Sequence, residues 1–390
     1  MPEGIAYEPY QAKTILNKHK YPDHWFWTRY TAYPYIGCQH GCIFCYCREK
    51  KYAPYEEIDT FSTRIKVKEN APQLLKKSLM RQKKGIIGVG DYQPAEKKFQ
   101  ISRKMLRVCF DMDFPIFILE RSPLVLRDMD LIQDIHLKSH ATILFSIIHT
   151  KQTAQADLIS KLEHHTPLPE SRFKAMEKFA EKGMQTGISF MPILPELCDT
   201  RENIENVIKA CADHGGTFVL AAPLTLADQQ KQFFTEYLSR HLPDIFQTYH
   251  NLYPANSYGP ASSKWLKTAL MVRELCEKHN ISDRMARPIR SGEKRALNKR
   301  VAVYLANLTY TMEIESQPGY KIWSIRKAAW AIENFEQDIS LVYRQLGRKG
   351  LESIQQVGPK IGGLVEAILS STIEGKGREN ELSQNDAEYY

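Results

Sequence analysis

Between residues 85 and 240 the chain alternates short apolar runs with longer amphipathic stretches, and few folds tolerate that rhythm. The runs are GIIGVG (85–90), FPIFILE (114–120), ATILFSII (141–148), QTGISFM (185–191) and GTFVLAA (216–222). Near-continuous apolar character is what a strand covered on both faces requires. Around and between them, APQLLKKSLMRQ, SRKMLRVCFDM, LVLRDMDLIQDI, SRFKAMEKFAEKG and TRENIENVIKACADHG carry apolar residues at helical spacing. The last opens on Thr200, an expected N-cap with Asn203 three residues on, and runs out at Gly215 and Gly216. Strand–helix alternation calls for parallel strands joined by right-handed crossovers. A further strand at AYPYIG (32–37) brings the count to six βα units. The expectation is an α/β protein built on a partial (β/α)6 TIM-type barrel, with chemistry at the strands' C-terminal ends.

After Tyr258 the alternation stops. The stretch 261–281 reads as one amphipathic helix closing the barrel domain, and 282–300 is a basic linker with seven basic and two acidic residues. From 301 to 370 the pattern is wholly helical, and 371–390 is polar and expected to be disordered. The predicted organisation is therefore an N-terminal extension (1–30), barrel (31–281), basic linker (282–300), small all-α domain (301–370) and tail (371–390). No run approaches the ~18 apolar residues of a spanning helix, and no leader is visible, so a soluble cytoplasmic protein is expected, with no membrane partner. Thiols stay reduced there, which turns clustered cysteines toward metal binding or catalysis rather than disulfides. The net charge of +8 hints at a polyanionic partner.

YIGCQHGCIFCYCREKKY (35–52) holds four of the eight cysteines. Cys38, Cys42 and Cys45 are spaced C-x3-C-x2-C, with Cys47 following and His40 among them. Two metal centres suit such a loop. A closed zinc site would take four ligands, adding Cys47 or His40. A [4Fe–4S] cluster takes three thiolates and leaves one iron open. Structural zinc sites usually pair two separated C-x2-C motifs, and no second pair exists in this chain. The loop also leaves the first expected strand at its catalytic end.

This spacing, with the aromatic Phe44 before the last cysteine, resembles the radical S-adenosylmethionine enzymes. PYIGCQHGCIFCYCR, GDYQPAEKK, ILERSPLVLRDMDLI, LEHHTPLPESRFKAMEKFAEKGM and ISFMPILPELCDTRENIENVIKACADHGG, in that order, resemble the spore photoproduct lyase-like branch over about residues 14–281. The resemblance implies that Cys38, Cys42 and Cys45 hold a [4Fe–4S] cluster and that S-adenosyl-L-methionine chelates its open iron. It further implies that a reducing partner such as flavodoxin or ferredoxin supplies the electron that releases a 5′-deoxyadenosyl radical. It carries Asp91 onto the group meeting the cofactor's amino nitrogen and Arg121 onto a basic residue meeting its carboxylate. Phe44, Ser146 and Pro192 fall where the cofactor is lined. The chain also departs from the branch. The branch's hydrogen-donating cysteine falls at Gly88, and of the two tyrosines flanking the last cluster cysteine only Tyr46 remains, Phe44 replacing the other. Tyr46 is carried over as catalytic, with Cys47 as either a replacement hydrogen donor or a passive neighbour.

At the C-terminus, KGLESIQQVGPKIGGLVEAIL reads as helix, Gly-Pro turn, helix: a helix–hairpin–helix whose backbone N–H groups could face a phosphate. Residues 299–369 resemble the small N-terminal DNA-binding domain of X-family DNA polymerases. That resemblance places Lys321, Arg326 and Lys327 near a bound strand, Tyr320 on a base, and Gly358 and Lys360 at the phosphate turn. The domain's lyase lysine falls at Leu364, so no Schiff-base lyase activity carries over, and the first glycine of the phosphate-binding motif is Gln356 here. The sequence as a whole predicts a radical enzyme abstracting hydrogen from DNA, in repair or base modification. RNA or protein as target, and a non-catalytic nucleic-acid-binding protein with a structural metal, are the alternatives.

Overall fold

The computed structural model describes residues 4–373 apart from Glu56, Ala255, Asn256, Ala261 and Ser291. The chain divides into two compact units, one ending at Met285 and the other starting at Ala286. Of the expected disordered tail, residues 371–373 end a helix and the rest lies outside the described residues. No helix among the described residues is long and apolar enough to cross a membrane.

The strands of the first unit are β1 (Ala6–Tyr10), β2 (Asn17–Lys18), β3 (Thr28–Ala32), β4 (Tyr35–Ile36), β5 (Arg64–Lys68), β6 (Ile86–Val89), β7 (Ile116–Glu120), β8 (Ala141–Ser146), β9 (Gln185–Ile193) and β10 (Phe218–Pro223). The larger sheet runs β10-β9-β8-β7-β6-β3-β2. Its six strands from β3 to β10 are parallel neighbours in chain order, with β2 antiparallel at the edge. Helices fill the crossovers, among them Ile101–Asp111, Met129–Lys138, Pro169–Ala180 and Arg201–Asp213. This is the expected α/β partial barrel. Every residue of β8 is buried, as a strand covered on both faces must be. Thr200 caps its helix as expected, accepting a hydrogen bond from Asn203 N at 3.2 Å.

One strand lies elsewhere. The first barrel strand is β3, upstream of AYPYIG, and pairs Tyr30 with Ile87 and Ala32 with Val89. AYPYIG supplies β4 instead, which pairs with β5 in a three-stranded sheet β1-β5-β4. Pro34 explains the break, since it has no N–H to give a ladder and restricts the residue before it. Residues 282–285 also belong to this unit. Ser282 bonds the edge of β10 through Val219 N (2.9 Å) and Thr217 O (3.0 Å), and Met285 O accepts from Trp27 Nε1 at 3.0 Å.

The second unit packs helices Ala296–Ile314, Gly319–Asn334, Ile339–Glu352 and Pro359–Ile373 around Val301, Leu305, Ile325, Ile332, Leu351 and Val365. The stretch read as a basic linker thus feeds the first of these helices. Part of its charge has internal partners: Arg287 pairs with Glu333, Lys299 with Glu293, and Arg295 bonds the Phe335 carbonyl. The turn before Pro359 takes its left-handed residue at the position of the motif's first glycine. Gln356, at φ 70°, takes the left-handed position, whereas a Cβ on Gly358 would meet open space.

Candidate active site

The cysteine loop is a series of tight turns held by its own Arg48 and by glutamines from two other segments. Gly37 opens it at φ 83°, where a Cβ would stand 2.7 Å from both Phe61 O and the Tyr55 hydroxyl. Gly41 N donates to Cys38 O (3.1 Å), Cys45 N to Cys42 O (3.3 Å) and Arg48 N to Cys45 O (3.1 Å). Arg48, 1% exposed, lies beneath. It donates to the carbonyls of Cys42 (3.2 Å), Gly41 (3.1 Å) and Ile58 (3.3 Å), and its guanidinium packs 3.9 Å from the Phe233 ring centre. Gln93 Nε2 donates to Gly37 O (3.0 Å) while its Oε1 accepts from Gln39 N (3.1 Å). Gln230 Nε2 reaches Phe44 O (3.2 Å), and Gln229 Nε2 reaches Arg48 O (2.7 Å).

The thiols differ in character. Cys38 Sγ lies 3.6 Å from His40 Nδ1, and Cys42, buried, points its sulfur at Glu163 O, 3.7 Å away. Burial pushes Cys38 well up and Cys42 up to about 11. The hydrogen bond from Cys47 brings Cys45 down to about 6, helped by Arg48 and Arg121, and leaves the Cys47 thiol protonated. His40 is lowered to about 4, by burial first and then by Arg121 and Arg172, so it stays neutral. Among the described residues no three His, Cys, Asp or Glu side chains gather as they would around one ion. A cluster of several irons sets a different demand, taking each thiolate at its own corner. The donor set here is three thiols on one loop, with the guanidinium groups of Arg48, Arg121 and Arg172 near enough to perturb them.

Asp91, just past β6, accepts from Gln93 Nε2 at 3.2 Å and 3.3 Å and from Gln93 N at 3.4 Å, so one glutamine ties it to the cysteine loop. Burial raises its carboxyl to about 7, against the pull of those bonds. Burial and Asp91 likewise raise Glu120. A carboxylate so placed suits an ammonium ligand.

Arg121, just past β7, neither pairs with its neighbour Glu120 nor with Asp128. It donates to Glu163 through NH1 and to Met191 O (3.3 Å) through NH2, with its guanidinium 5.3 Å from the Phe44 ring centre. Ser146 Oγ donates to the same Met191 carbonyl at 3.3 Å, directly before Pro192, whose peptide bond is cis. Phe44, Arg121, Ser146 and Pro192 are thereby gathered at one place. Tyr46 turns outward, 55% exposed, with its ring 5.4 Å from that of Tyr52. Gly88 is explained by packing: a Cβ there would stand 3.2 Å from the Tyr33 hydroxyl and from Thr31 Cγ2.

Four side chains here carry no motif of their own. Arg48, Gln93, Glu163 and Arg172 look in the sequence like ordinary surface polars. Glu163 and Arg172 stand in LEHHTPLPESRFK at a separation of nine, the one local hint of a pair. Arg172 binds Glu163 through NH1 (3.0 Å) and NH2 (2.7 Å). Burial would raise the Glu163 carboxyl, but Arg172 and Arg121 hold it down to about 2.

In the second unit, Tyr320 (72% exposed), Trp323 (50%) and Lys327 lie three and four residues apart on one open face of helix Gly319–Asn334, with Lys321 partly buried beside them. Arg326 is drawn aside, bonded to Glu313 at 2.6 Å and packed 5.1 Å from the Trp323 ring centre. Gly358 and Lys360 are exposed at the start of the last helix. Trp323 was missed in the sequence because helical tryptophans more often face a core.

No family model matches this chain. An uncharacterized protein of Mycobacterium bovis is 26% identical over 271 residues, covering 67% of this chain and 77% of its own length. One of Methanocaldococcus jannaschii is 29% identical over 243 residues, 62% of this chain and 85% of its own. Among solved structures, spore photoproduct lyase complexed with dinucleoside spore photoproduct aligns with a TM-score of 0.51 at 12% identity, over 71% of this chain and 81% of that one. A cysteine-to-serine mutant of the same lyase aligns equally well at 11% identity, over the same shares. The chain shares that lyase's fold.

Proposed function

We propose that this chain is a radical S-adenosylmethionine enzyme that abstracts hydrogen from a nucleic-acid substrate, DNA before RNA. The observation that carries the reading is the set of groups at the barrel mouth. Three thiols on one braced loop stand with a half-buried carboxyl and a half-buried guanidinium that come from the ends of two adjacent strands. Cys38, Cys42 and Cys45 would hold a [4Fe–4S] cluster, and the residues present fit it, because three thiols stand on one braced loop and the cations beside Cys42 and Cys45 oppose the burial that disfavours their thiolates. The chemistry that cluster and S-adenosylmethionine supply when bound is one-electron cleavage of the sulfonium, giving methionine and a 5′-deoxyadenosyl radical. Asp91 would bind the cofactor's ammonium and Arg121 its carboxylate, while Phe44, Ser146 and Pro192 line its place and exclude water. Tyr46, exposed, and Cys47, half-buried beside it, would stand toward the substrate.

DNA as target is supported by two separate features. The lyase of like fold is known in complex with a dinucleoside photoproduct. Tyr320 and Trp323 present stacking faces beside Lys321 and Lys327, the pattern single-stranded nucleic acids favour. The N–H groups at Gly358 and Lys360 would add a phosphate contact. A flavodoxin or ferredoxin would supply the electron.

The test is anaerobic reconstitution with iron and sulfide. About four irons per chain, and cleavage of S-adenosylmethionine to 5′-deoxyadenosine with dithionite, support the reading. Bound zinc without iron after anaerobic purification overturns it. Deuterium passing from labelled DNA into 5′-deoxyadenosine would identify the target, and its passage from RNA or protein alone would reassign it.

A further inference from the structure

Arg121, Glu163 and Arg172 form a buried triplet with two positive charges and one negative. Glu163 is 3% exposed at its side chain, Arg172 1% and Arg121 18%. Arg172 already satisfies the carboxylate at both oxygens, and its other donors reach Ser146 O (2.8 Å), Pro167 O (2.8 Å) and Thr166 Oγ1 (2.7 Å). For a structural ion pair that set is complete. A second guanidinium drawn onto the same carboxylate adds an uncompensated buried charge, which costs stability unless it serves something else.

The backbone around Glu163 points to what it serves. Ile43 N donates to Leu162 O (2.9 Å), the Cys42 thiol faces Glu163 O, and His165 N donates to His40 O (3.0 Å). Residues 162–165 are thus bonded along residues 40–43 of the cysteine loop. One residue therefore touches a cluster-loop sulfur with its carbonyl and Arg121 with its carboxylate.

We propose that Glu163 is a positioning residue that fixes Arg121 at a set distance from the cysteine loop, so that the guanidinium meets the carboxylate of an α-amino-acid ligand held there. The inference rests on the cofactor reading above and adds to it the group that makes carboxylate recognition geometric rather than merely electrostatic. Arg172 is the counter-charge that keeps Glu163 ionised in its buried place. Arg121, the most exposed of the three, spans Glu163 and Met191 O and presents its edge beside Phe44.

The experiment compares equilibrium binding of S-adenosylmethionine with that of its decarboxylated analogue, which keeps the sulfonium, adenosine and amine. Reconstituted wild-type protein and Glu163→Gln are measured side by side, with iron content and circular dichroism as checks on loading and folding. The expected result is a loss of about tenfold in affinity for S-adenosylmethionine with the analogue's affinity unchanged. In an Arg121→Ala background, where carboxylate preference is already gone, Glu163→Gln should change S-adenosylmethionine affinity less than about twofold. Equal losses for both ligands, or none for either, overturn the positioning role, as does a full tenfold loss in the Arg121→Ala background. Should Glu163→Gln fail to fold, Glu163→Asp keeps the charge against Arg172, withdraws it from Arg121 and is read by the same ratio. Wild-type protein that binds neither compound would instead overturn the cofactor reading, a result separable from either.

Discussion

Cys47 follows Cys45 by two positions, and its thiol hydrogen is shared toward Cys45, so one of these sulfurs carries negative charge at the other's expense. That division predicts different outcomes for two conservative-looking changes. Cys42→Ala should lower the iron retained after reconstitution by at least about tenfold, whereas Cys47→Ser should retain the wild-type amount. Equal iron loss in both variants would make Cys47 a fourth ligand and close the site. Asp91 gives a pH signature. Its carboxyl, raised to about 7 by burial, is the carboxylate that an ammonium needs only above that value. Affinity for S-adenosylmethionine should therefore be full at pH 8 and fall as pH drops through 7, and Asp91→Asn should show a weak, flat profile by equilibrium dialysis. The stability sign is the opposite. The unfolded chain ionises this group near 3.8 and the folded one near 7, so the folded state binds the extra proton between those values. Stability falls as pH rises across that window and is lowest above it. Asp91→Asn should accordingly stabilise cluster-free protein at pH 8 by about 2 kcal/mol in urea melts, with no gain at pH 4.

At the scale of elements, β6 to β10 were legible because helices cover their outer faces and the barrel interior their inner ones, which leaves unbroken apolar runs in the sequence. β3 was not legible: TRYTA alternates buried and half-buried residues, one strand in from the sheet's edge, and the more apolar AYPYIG beside it drew the assignment past Pro34. Gly187 marks where β9 and β10 approach most closely, since a Cβ there would stand 2.4 Å from Phe218 O. The backbone cannot yield cheaply, so Gly187→Ala should cost about 3 kcal/mol, read as a lower urea midpoint at unchanged slope. The cysteine loop is an element of the same kind, with Arg48 as its core. Arg48→Met fills similar volume but strands three buried carbonyl acceptors, for a loss of about 3 kcal/mol and slower uptake of iron. Buried charges such as Arg48, Glu163 and Arg172 escape sequence reading for a physical reason. Their burial is decided by partners far off in sequence, such as Phe233 on Arg48 and Arg121, 42 positions before Glu163, and nothing local separates them from solvated charges.

At the scale of the molecule, the order of the five barrel motifs carried the fold, because each falls at a strand end or a crossover. The second unit was legible as wholly helical but not as a surface. Which side of Gly319–Asn334 faces water depends on the core formed with the helix before it, and that exposes Trp323 beside Tyr320. Trp323→Ala in the full chain should weaken single-stranded DNA binding by about tenfold in fluorescence anisotropy, with uncoupled S-adenosylmethionine cleavage unchanged. Equal binding by the variant would remove that face from the interface. The bracing of the cysteine loop has a wider consequence. Arg48, Gln93, Gln229 and Gln230 fix its turns through bonds to the protein's own carbonyls and amides. Zinc fingers unfold when stripped because metal supplies their folding energy. Here the scaffold should outlast a cluster: if the loop holds iron, protein stripped of it by oxygen is expected to stay folded, with a melting temperature within about 5 °C of the loaded form by circular dichroism. Such a protein can be recharged after an oxidative episode instead of being made again.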